Sequence, residues 1–259
     1  MLRTLLIRTK PFRYWLDSIF YSNSGAKLKL DSLKERYANR PMLVVGNGPS
    51  LNRTPLDEFF GLPAIGMNKI DLLFDRVKWR PDIIVCTNNL VVKQHYRQML
   101  AHGIPCYLSW KSRWFVPKNA RSHFRFFLNK TESTFSKNIM EGVGVAGTVT
   151  YTALQFAYYV GANPVILFGV DHSFRYEGSP NEIQKRSGID SNHFDPNYFA
   201  SGQYWGLPNL RLSELGYQQA REIFENDGRE IFDATVGGEL RIFEKISLER
   251  AKDLCGLDS

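Results

Sequence analysis

The sequence predicts an α/β protein built on a mainly parallel, doubly wound β-sheet, and three observations lead to this fold class. Short apolar runs rich in β-branched residues recur along the chain, separated by stretches in which apolar residues have helical spacing. Several of these runs end in Gly, Asn or Asp. One long irregular segment interrupts the alternation, and we interpret it as a lid over the carboxyl ends of the strands. The expected architecture is a Rossmann-like sheet with an irregular lid at about residues 173–211.

The predicted strands are short and almost wholly apolar, as strands buried on both faces of a sheet must be. The first, MLVV, runs into a glycine-rich turn, and the most apolar, VILFGV, ends in Asp171 and His172. The predicted strand segments, each with its adjoining turn, are 42–51, 63–68, 81–89, 103–110, 164–174 and 229–235.

Two segments have the apolar spacing of helices that pack on a sheet. Residues 149–162 and 212–228 repeat apolar residues at intervals of three and four, and Gly161 and Gly228 mark their ends. Residues 111–140 are basic and aromatic without a strong period. The lid segment is rich in Ser, Asn, Asp, Gly, Pro and Tyr, a composition typical of loops.

Composition excludes several classes of protein. Of the 259 residues, 43% are hydrophobic and 23% are charged, as in ordinary globular proteins and unlike disordered, collagen-like or coiled-coil chains. No apolar run approaches the ~20 residues that span a bilayer. The three cysteines are far apart, which favours reduced thiols over a disulfide framework or a structural zinc site. We therefore expect a cytoplasmic protein, with neither a signal peptide nor a metal site.

The net charge of +7 lies mainly in the first 40 residues, which carry nine Lys or Arg and three Asp or Glu. We divide the chain into a basic, aromatic N-terminal arm, residues 1–40, and a single nucleotide-binding catalytic domain, residues 41–259. Residues 1–22 interleave bases with aromatic and aliphatic side chains, which suits a segment lying on the anionic inner face of the cytoplasmic membrane. A helix packed on the domain is an equally good interpretation.

Polar residues follow four of the predicted strands, at the edge of a parallel sheet where ligands bind. The turn after the first strand contains Gly46, Asn47, Gly48 and Ser50. Its glycines let the backbone approach a ligand, and N–H groups at the start of the next helix can face a phosphate. The turn lacks the Lys-Ser/Thr of a Walker motif and the spacing of a dinucleotide fingerprint. A tight structural turn is the alternative interpretation.

Amide and carboxylate side chains end the other three strands. Asn68 and Asn88 can read the edge of a nucleobase or the hydroxyls of a ribose, although Asn is also a common turn residue. Asp171 is a candidate to bind ribose hydroxyls, to hold a metal ion or to act as a base. Because the carboxyl ends of parallel strands meet at one edge of the sheet, we expect these residues to share one crevice.

Two of the five histidines lie in segments predicted to surround this crevice. Imidazole, with a pKa near ~6.5 in water, suits proton transfer. His172 follows Asp171, and consecutive strand residues face opposite ways, so we expect His172 to support the lid. We predict that His193, within the lid, is the general base. Tyr176 is a candidate to donate to a departing phosphate, and an aromatic that packs the lid is its alternative interpretation.

The combination of these motifs resembles the MptE-like family. The segments that carry the resemblance are GNGPSL, GTVTYTALQFAYYVGA, VILFGVDHSF, NHF with YF, and ATVGGELRIF, within residues 41–245. The family is named for archaeal 6-hydroxymethylpterin pyrophosphokinases, and it includes the motility-associated factors that put nonulosonic acids on flagellin. The same skeleton is similar to the bacterial CMP-sialic acid sialyltransferases. The resemblance implies transfer of a group from a nucleotide.

The resemblance to the sialyltransferases also implies roles for particular residues. The donor-nucleotide positions are matched by Asn47, Asn68, Asn88 and Asp171. Thr148 lies near that group's contact to phosphate and sugar. The sialyltransferases follow the Asp with Phe-Tyr, where this chain has His172 and Ser173, and Tyr176 is an approximate counterpart of their second lid Tyr. Their base is a His in a Ser-His-Tyr-x-x-His segment, where this chain has His193 without a second His.

We interpret the chain as a glycosyltransferase that moves a nonulosonic acid from a CMP-activated donor to a bacterial cell-surface glycan, without a cofactor. The alternative is a magnesium-dependent pyrophosphokinase that acts on 6-hydroxymethylpterin with ATP, in which Asp171 with Asp190 or Asp195 holds the ion. A second alternative is a non-catalytic nucleic-acid binder, based on the net charge and the Trp, Phe and Arg of residues 110–127. Since the charge lies mainly in the N-terminal arm, we expect no nucleic-acid partner.

Overall fold

The computed structural model describes residues 10–257, and within that range the central feature is a sheet of eight parallel strands. Its strands are β1 (Met42–Val45), β2 (Ala64–Met67), β3 (Ile83–Cys86), β4 (Cys106–Ser109), β5 (Phe124–Phe127), β6 (Val165–Phe168), β9 (Ile231–Asp233) and β10 (Glu244–Lys245). A separate antiparallel pair consists of β7 (Ile183–Lys185) and β8 (Tyr204–Gly206). The order across the main sheet is β10-β9-β6-β1-β2-β3-β4-β5. The predicted Rossmann-like α/β fold is confirmed.

The inner strands are buried on both faces, which explains their continuous apolar sequences. Every residue of β1, β2, β3, β4 and β6 is buried. In register, Val44 lies between Ile65 of β2 and Leu167 of β6. Because successive side chains point to opposite faces and both faces are covered, every position must be apolar. Short apolar runs, not alternating patterns, therefore predict these strands.

Helices flank the sheet and several begin at a polar cap. They are α1 (Lys10–Ser22), α2 (Leu28–Asp31), α3 (Asn89–Ala101), α4 (Val149–Tyr159), α5 (Leu210–Asn226) and α6 (Leu248–Cys255). Short 3₁₀ helices cover Pro49–Arg53, Leu56–Phe59, Ile70–Leu73, Trp110–Phe115, Lys118–His123 and Ile139–Glu141. The side chains of Asn88, Thr148, Asn209 and Ser247 accept from backbone N–H groups at the starts of α3, α4, α5 and α6. The predicted helices at 149–162 and 212–228 are confirmed as α4 and α5.

The direction of winding reverses between β1 and β6. From β1 the chain moves outward through β2, β3, β4 and β5, and it then returns through α4 to β6 on the other side of β1. From β6 it continues outward to β9 and β10. The connections after β1 and β6 therefore leave the sheet in opposite directions. Such a switch point opens a crevice at the carboxyl ends of the strands, where open α/β sheets bind ligands.

The first described segments pack on the same core as the sheet. Tyr21, Leu30 and Leu33 belong to the hydrophobic core, and the Tyr21 ring meets Trp110 edge to face, with ring centroids 5.4 Å apart. Three backbone N–H groups within residues 35–39 donate to carbonyls at and just beyond the end of α4. Residues 35–39 are thus hydrogen-bonded to the end of α4, and the division of the chain at residue 40 stays a prediction.

The membrane interpretation of the N-terminal arm begins in a segment that lies outside the described residues, namely residues 1–9. Among residues 10–257, no helix is long and apolar enough to cross a bilayer.

Residues 173–211, the predicted lid, cross the carboxyl ends of the strands. The segment is irregular except for the β7–β8 pair, and α5 begins near its end. The N–H of Phe194 donates to the carbonyl of Asn47 in the turn after β1 (3.0 Å), and the Asn52 amide donates to the Phe194 carbonyl (2.9 Å). Phe194 and Tyr198 are buried. The lid is fastened to the turn beneath it.

Helices α3 and α6 and strands β5 and β10 are not predicted by the sequence patterns. β5 is the outermost strand on its side of the described sheet, and Arg125 interrupts its apolar run. An edge strand tolerates such a residue because one of its sides meets solvent. The basic, aromatic composition around β5 therefore conceals a strand.

Candidate functional site

The turn after β1 passes very close to the end of β6, at the switch point. The Gly48 N–H donates to the Gly169 carbonyl (2.9 Å). A Cβ atom on Gly46 would lie 2.2 Å from the Gly169 oxygen, and a Cβ atom on Gly48 would lie 1.8 Å from Asp171 Oδ2. Both distances are far inside van der Waals contact, so neither position accommodates a side chain. The close approach of two strand ends is itself sufficient to require both glycines.

Asp171 connects the two turns. Its Oδ1 accepts from the Ser50 N–H (3.0 Å) and its Oδ2 accepts from the Ser50 hydroxyl (2.6 Å). Burial raises the pKa of Asp171, and the two bonds from Ser50 and the charge of Arg53 partly oppose that rise. In this structure both carboxylate oxygens are engaged within the protein. The predicted contacts of Asp171 and Ser50 with a nucleotide stay predictions.

Two buried amide oxygens in the crevice have no hydrogen-bond partner among the described residues. They are Oδ1 of Asn47, a residue 9% exposed, and Oδ1 of Asn68. Asn68 has a left-handed backbone, with φ of 51°, a conformation that Asn adopts more readily than most residues. An unpartnered buried acceptor costs ~1–3 kcal/mol. These two acceptors therefore favour a ligand that brings N–H or O–H donors into the crevice.

The N-terminus of α4 lies beside these amides. Thr148 caps the helix by accepting from the Thr150 N–H (3.2 Å), and its hydroxyl lies 3.3 Å from that of Tyr217. Val149 and Thr150 also line the crevice. The first N–H groups of a helix and its macrodipole favour an anion, so this end of the crevice suits a phosphate.

Asn88 caps the next helix, α3. Its Oδ1 accepts from the N–H groups of Leu90 (2.9 Å) and Val91 (3.5 Å). An Asn at this strand end is thus explained by capping, and its predicted contact with a nucleotide stays a prediction.

His193 and Asp190 form a hydrogen-bonded pair in the lid. His193 Nδ1 lies 2.9 Å from Asp190 Oδ2, and an ionised carboxylate only accepts, so Nδ1 donates and Nε2 is left to exchange a proton. The imidazole stacks on the Tyr198 ring at 3.9 Å between centroids. Asp190 is only 3% exposed. Although burial alone raises the pKa of Asp190, the hydrogen bond and charge of His193, the Asn192 N–H and Arg186 outweigh it, and the pKa is lowered.

The other two predicted catalytic residues hold the surroundings of the crevice. His172 Nε2 lies 3.0 Å from Glu214 Oε1 on α5, and its ring meets Tyr217 edge to face. This contact agrees with a supporting role, and His172 also lines the crevice. The Tyr176 hydroxyl donates to the Pro208 carbonyl (3.3 Å). That bond lies within the lid.

Two adjoining cavities cover the carboxyl ends of the strands. The crevice, of about 110 Å³, lies between the turns after β1 and β6 and the start of α4. The outer cleft, of about 760 Å³, extends over the ends of β3 and β4 to the lid and to Tyr14 of α1. The residues that line both are Asn68, Thr148, Val149, Phe174 and His193. The two cavities therefore form one continuous site, and His193 lies where they meet.

The structure brings most of the predicted residues to this site. Those that line the crevice are Gly46, Asn47, Gly48, Asn68, Thr148, Asp171, His172 and His193. Asn88 lines the outer cleft. Ser50 and Tyr176 line neither cavity, because their hydroxyls are directed to Asp171 and Pro208.

The carboxylates named for a magnesium ion are engaged by different partners. Asp171 is bound to Ser50, Asp190 is bound to His193, and Asp195 lies 3.5 Å from Arg76. Within residues 10–257, no three His, Cys, Asp or Glu side chains are clustered as metal ligands would be. The three carboxylates thus have separate partners within the protein, and the magnesium-dependent alternative stays a prediction.

A buried lysine anchors the lid and is missed by the sequence patterns. Lys69 is 2% exposed, and its Nζ donates to the Tyr198 carbonyl (2.5 Å) and to Gln203 Oε1 (3.0 Å). The same ammonium lies 4.8 Å from the Phe199 ring centroid. Burial lowers the pKa of Lys69 to about 8, and nearby acids including Asp71 limit the fall. Lysine is rarely buried, so a hydropathy pattern gives no signal for this residue.

Asp190 is a second residue whose role the sequence patterns miss. They make it a candidate only as a metal ligand, under the pyrophosphokinase alternative, whereas the structure pairs it with His193. Its position three residues before His193 is the available signal. An Asp and a His separated by two residues in a loop can meet in one turn, as they do here. The pairing supports His193 and was not expected.

Comparisons with known proteins show the fold. No family model matches the chain, and no curated protein matches it. Among solved structures, it is similar to a MAf glycosyltransferase from Magnetospirillum magneticum AMB-1, at 16% sequence identity and a TM-score of 0.50. The similarity covers 90% of this chain and 41% of that structure. The chain thus spans about two fifths of the length of a protein with which it shares a fold.

Proposed function

We propose that the protein is a glycosyltransferase that moves a nonulosonic acid from a CMP-activated donor to a glycan. The observation that carries the proposal is His193, held by Asp190 at the junction of the two cavities. Direct displacement by an acceptor hydroxyl calls for a base between the donor and acceptor pockets, and His193 is proposed to be that base. The shared fold with a MAf glycosyltransferase and the resemblance to CMP-sialic acid sialyltransferases both support it.

The nucleotide is proposed to bind across the crevice and the adjoining part of the outer cleft. The Oδ1 atoms of Asn47 and Asn68 can accept from the amino group of cytosine or from ribose hydroxyls. The phosphate then lies at the N-terminus of α4, near Thr148, where backbone N–H groups favour an anion. The outer cleft is large enough for the sugar and the acceptor.

The proposed reaction is displacement at the anomeric carbon of the donor sugar. An acceptor hydroxyl loses its proton to His193 Nε2 as its oxygen bonds to that carbon, and the bond from the carbon to the phosphate oxygen breaks. CMP leaves with the bonding electrons, and the helix N-terminus stabilises its charge. Asp190 stabilises the imidazolium that forms, because its carboxylate remains ionised beside Nδ1.

Nucleotide preference tests the proposal. We expect CMP to raise the melting temperature of the protein more than UMP, AMP or magnesium-ATP does, because the resemblance to the CMP-sialic acid sialyltransferases implies a cytidine donor. Thermal shift with each nucleotide at equal concentration measures this. A larger shift with magnesium-ATP would support the pyrophosphokinase interpretation and contradict ours.

Isosteric variants locate the binding. Asn47→Asp and Asn68→Asp keep the shape of the side chain and add a negative charge beside the proposed phosphate. We expect each to weaken CMP binding by about ten-fold or more, measured by calorimetry. Asn119→Asp, on an exposed residue outside both cavities, is the control and should bind CMP as the wild type does. Equal CMP affinity in all three variants would place the nucleotide elsewhere.

A further inference from the structure

A third cavity, of about 520 Å³, lies between α1, the chain that follows it and the two 3₁₀ helices at residues 110–123. Its aromatic walls are Phe20, Trp110, Trp114, Phe124 and Phe126. Its cationic residues are Lys29, Arg113 and Arg121. None of these residues lines the crevice or the outer cleft. The cavity is therefore distinct from the candidate active site.

Exposed apolar side chains are frequent on the elements that form this cavity, and two of them, Phe20 and Trp114, line it. Of the eleven large hydrophobic residues that are exposed in the described part of the chain, six belong to α1, α2 or the 110–115 helix. Those six are Trp15, Ile19, Phe20, Leu28, Trp114 and Phe115. Trp114 is 67% exposed and Phe20 is 60% exposed. We refer to these six residues with Lys29 and Arg121 as the aromatic–basic surface. Such a concentration marks an interaction site more often than chance exposure.

An ion pair fixes the aromatic–basic surface to the domain. Arg113 donates to Asp17 of α1 (2.9 Å) and to the Trp110 carbonyl (2.7 Å), and its guanidinium lies 4.1 Å from the Trp110 ring. Asp17 is thus neutralised, and α1 is held against the 110–115 helix. Lys29 and Arg121 also line the cavity, with the Arg121 guanidinium 5.7 Å from the Trp114 ring centroid, and Lys118 is exposed in the same 3₁₀ helix as Arg121.

We propose that the aromatic–basic surface docks the protein on a bilayer that contains anionic phospholipid. Tryptophan and phenylalanine partition to the interfacial depth of a bilayer, and lysine and arginine at the same level attract anionic headgroups. The surface presents both kinds of side chain on rigidly packed elements. The excess of positive charge in the flanking sequence complements an anionic lipid and opposes a basic partner protein.

The same two elements also reach the outer cleft. Tyr14 of α1 and Lys111 of the 110–115 helix line that cleft, while Phe20 and Trp114 of the same helices line the aromatic cavity. Docking would therefore set the acceptor end of the cleft next to the lipid headgroups. On the proposed function, which this step assumes, the acceptor class is a glycan carried on a membrane lipid.

Vesicle sedimentation tests the docking surface independently of catalysis. The full chain is mixed with two kinds of vesicle. One is phosphatidylcholine alone, and the other is phosphatidylcholine with about 30% of the anionic lipid phosphatidylglycerol. We expect binding to the anionic vesicles that weakens with salt, because the headgroup attraction is screened. Trp114→Ala with Phe20→Ala should lower the partition coefficient by about ten-fold or more, and Arg121→Gln by about five-fold.

Matched controls come from α5, which contributes no residue to the aromatic–basic surface. Leu215→Ala removes an exposed apolar side chain from α5, and Arg211→Gln removes a cation there. Both should bind vesicles as the wild type does, and all variants should keep the CMP response. Wild-type-like binding by the Trp114/Phe20 variant, or an equal loss in the controls, would overturn the proposal. The proposal would also be overturned if the wild type does not bind anionic vesicles, or if the Trp114/Phe20 variant changes only the self-association of the protein. Loss of vesicle binding with an intact CMP response separates this inference from the proposed function.

Discussion

His193 differs from the buried His95 in what surrounds its second ring nitrogen. His95 also has a carboxylate partner, Asp71 at 2.7 Å, but it lies within α3 and lines neither cavity of the site. His193 combines a buried carboxylate on Nδ1 with a position at the junction of crevice and outer cleft. Orientation of the ring by Asp190 and by stacking on Tyr198 lowers the cost of placing Nε2 against an acceptor.

We expect His193→Ala to lower turnover by about 10²–10⁴-fold while the dissociation constant for CMP stays nearly unchanged. The reason is that the imidazole acts on the acceptor hydroxyl and not on the nucleotide. Steady-state kinetics and calorimetry measure the two quantities. His123→Ala is the control, because His123 is exposed and lines neither the crevice nor the outer cleft.

The opposite pattern would reassign the base. If His193→Ala keeps its turnover while His172→Ala loses it, His172 is the base and Glu214 is the carboxylate that orients it. Our assignment predicts instead that His172→Ala lowers both stability and donor affinity, because the residue has a left-handed backbone and supports the crevice wall.

Among the elements, the lid depends on Lys69 more than its loop composition suggests. The Lys69 ammonium donates to the Tyr198 carbonyl and to the amide oxygen of Gln203, and the backbone N–H of Lys69 donates to the Tyr198 hydroxyl. The residue follows Asn68, so the strand end that forms the crevice also fastens the lid above it. Burying this charge is costly, and the lid gains a fixed position in return.

The titration of Lys69 should therefore make the free energy of unfolding of the protein rise with pH. Its pKa is about 8 when folded, whereas a lysine in an unfolded chain titrates near ~10.4. Between these values the unfolded chain binds more protons at this residue, so the free energy of unfolding increases with pH. Relative to Lys69→Met, we expect the wild type to gain about 3 kcal/mol between pH 7 and ~10.4.

Denaturant unfolding across this range measures the difference, and Lys78→Met, an exposed lysine, serves as the control. The Lys78 comparison should show no such slope. A wild-type advantage over Lys69→Met that is constant with pH would mean that the ammonium titrates as it does in water.

The sequence predicts an element well where burial requires its inward-facing positions to be apolar. The strands β1, β2, β3, β4, β6 and β9 and the helix α4 lie within predicted segments, and α5 overlaps its segment but begins two residues earlier. An apolar run or a helical period survives in each. Helix α3 and strand β5 carry charges on their exposed sides and are not predicted. The contacts of Lys69 and Asp190 depend on how the lid folds back on the sheet, and no local pattern encodes a fold-back of that kind.

At the scale of the whole molecule, the switch point between β1 and β6 determines where the site lies. The rule that ligands bind at such points predicts that these strand ends share one crevice, and Asn47, Asn68 and Asp171 do line one, while their contacts with a ligand stay predictions. It did not separate residues that face the crevice, such as Asn47, from those that build it, such as Ser50. That distinction depends on side-chain direction, which a strand-end motif leaves open.

Contact between the two strand ends predicts a sharp difference between glycines. Gly46→Ala would set a Cβ atom 2.2 Å from the Gly169 carbonyl oxygen, a backbone atom that cannot turn aside as the end of a side chain can. We expect this variant to lower the free energy of unfolding by about 2–3 kcal/mol. Gly206→Ala, where an added Cβ would meet nothing within 4 Å, should change it little, and chemical denaturation compares the two. Equal stability would show that the turns separate easily.

The Ser50–Asp171 contact also has a consequence for the order of folding. It joins residues 121 positions apart, and the two sides of the crevice come from opposite halves of the chain. Closing so large a loop is entropically costly, and contacts of long sequence separation form late in folding. A nascent chain that ends before β6 has β1 to β5 and the start of α4 but lacks the turn after β6 and the lid. Ligand binding during synthesis or refolding would therefore report the moment at which the two halves join, later than the appearance of secondary structure.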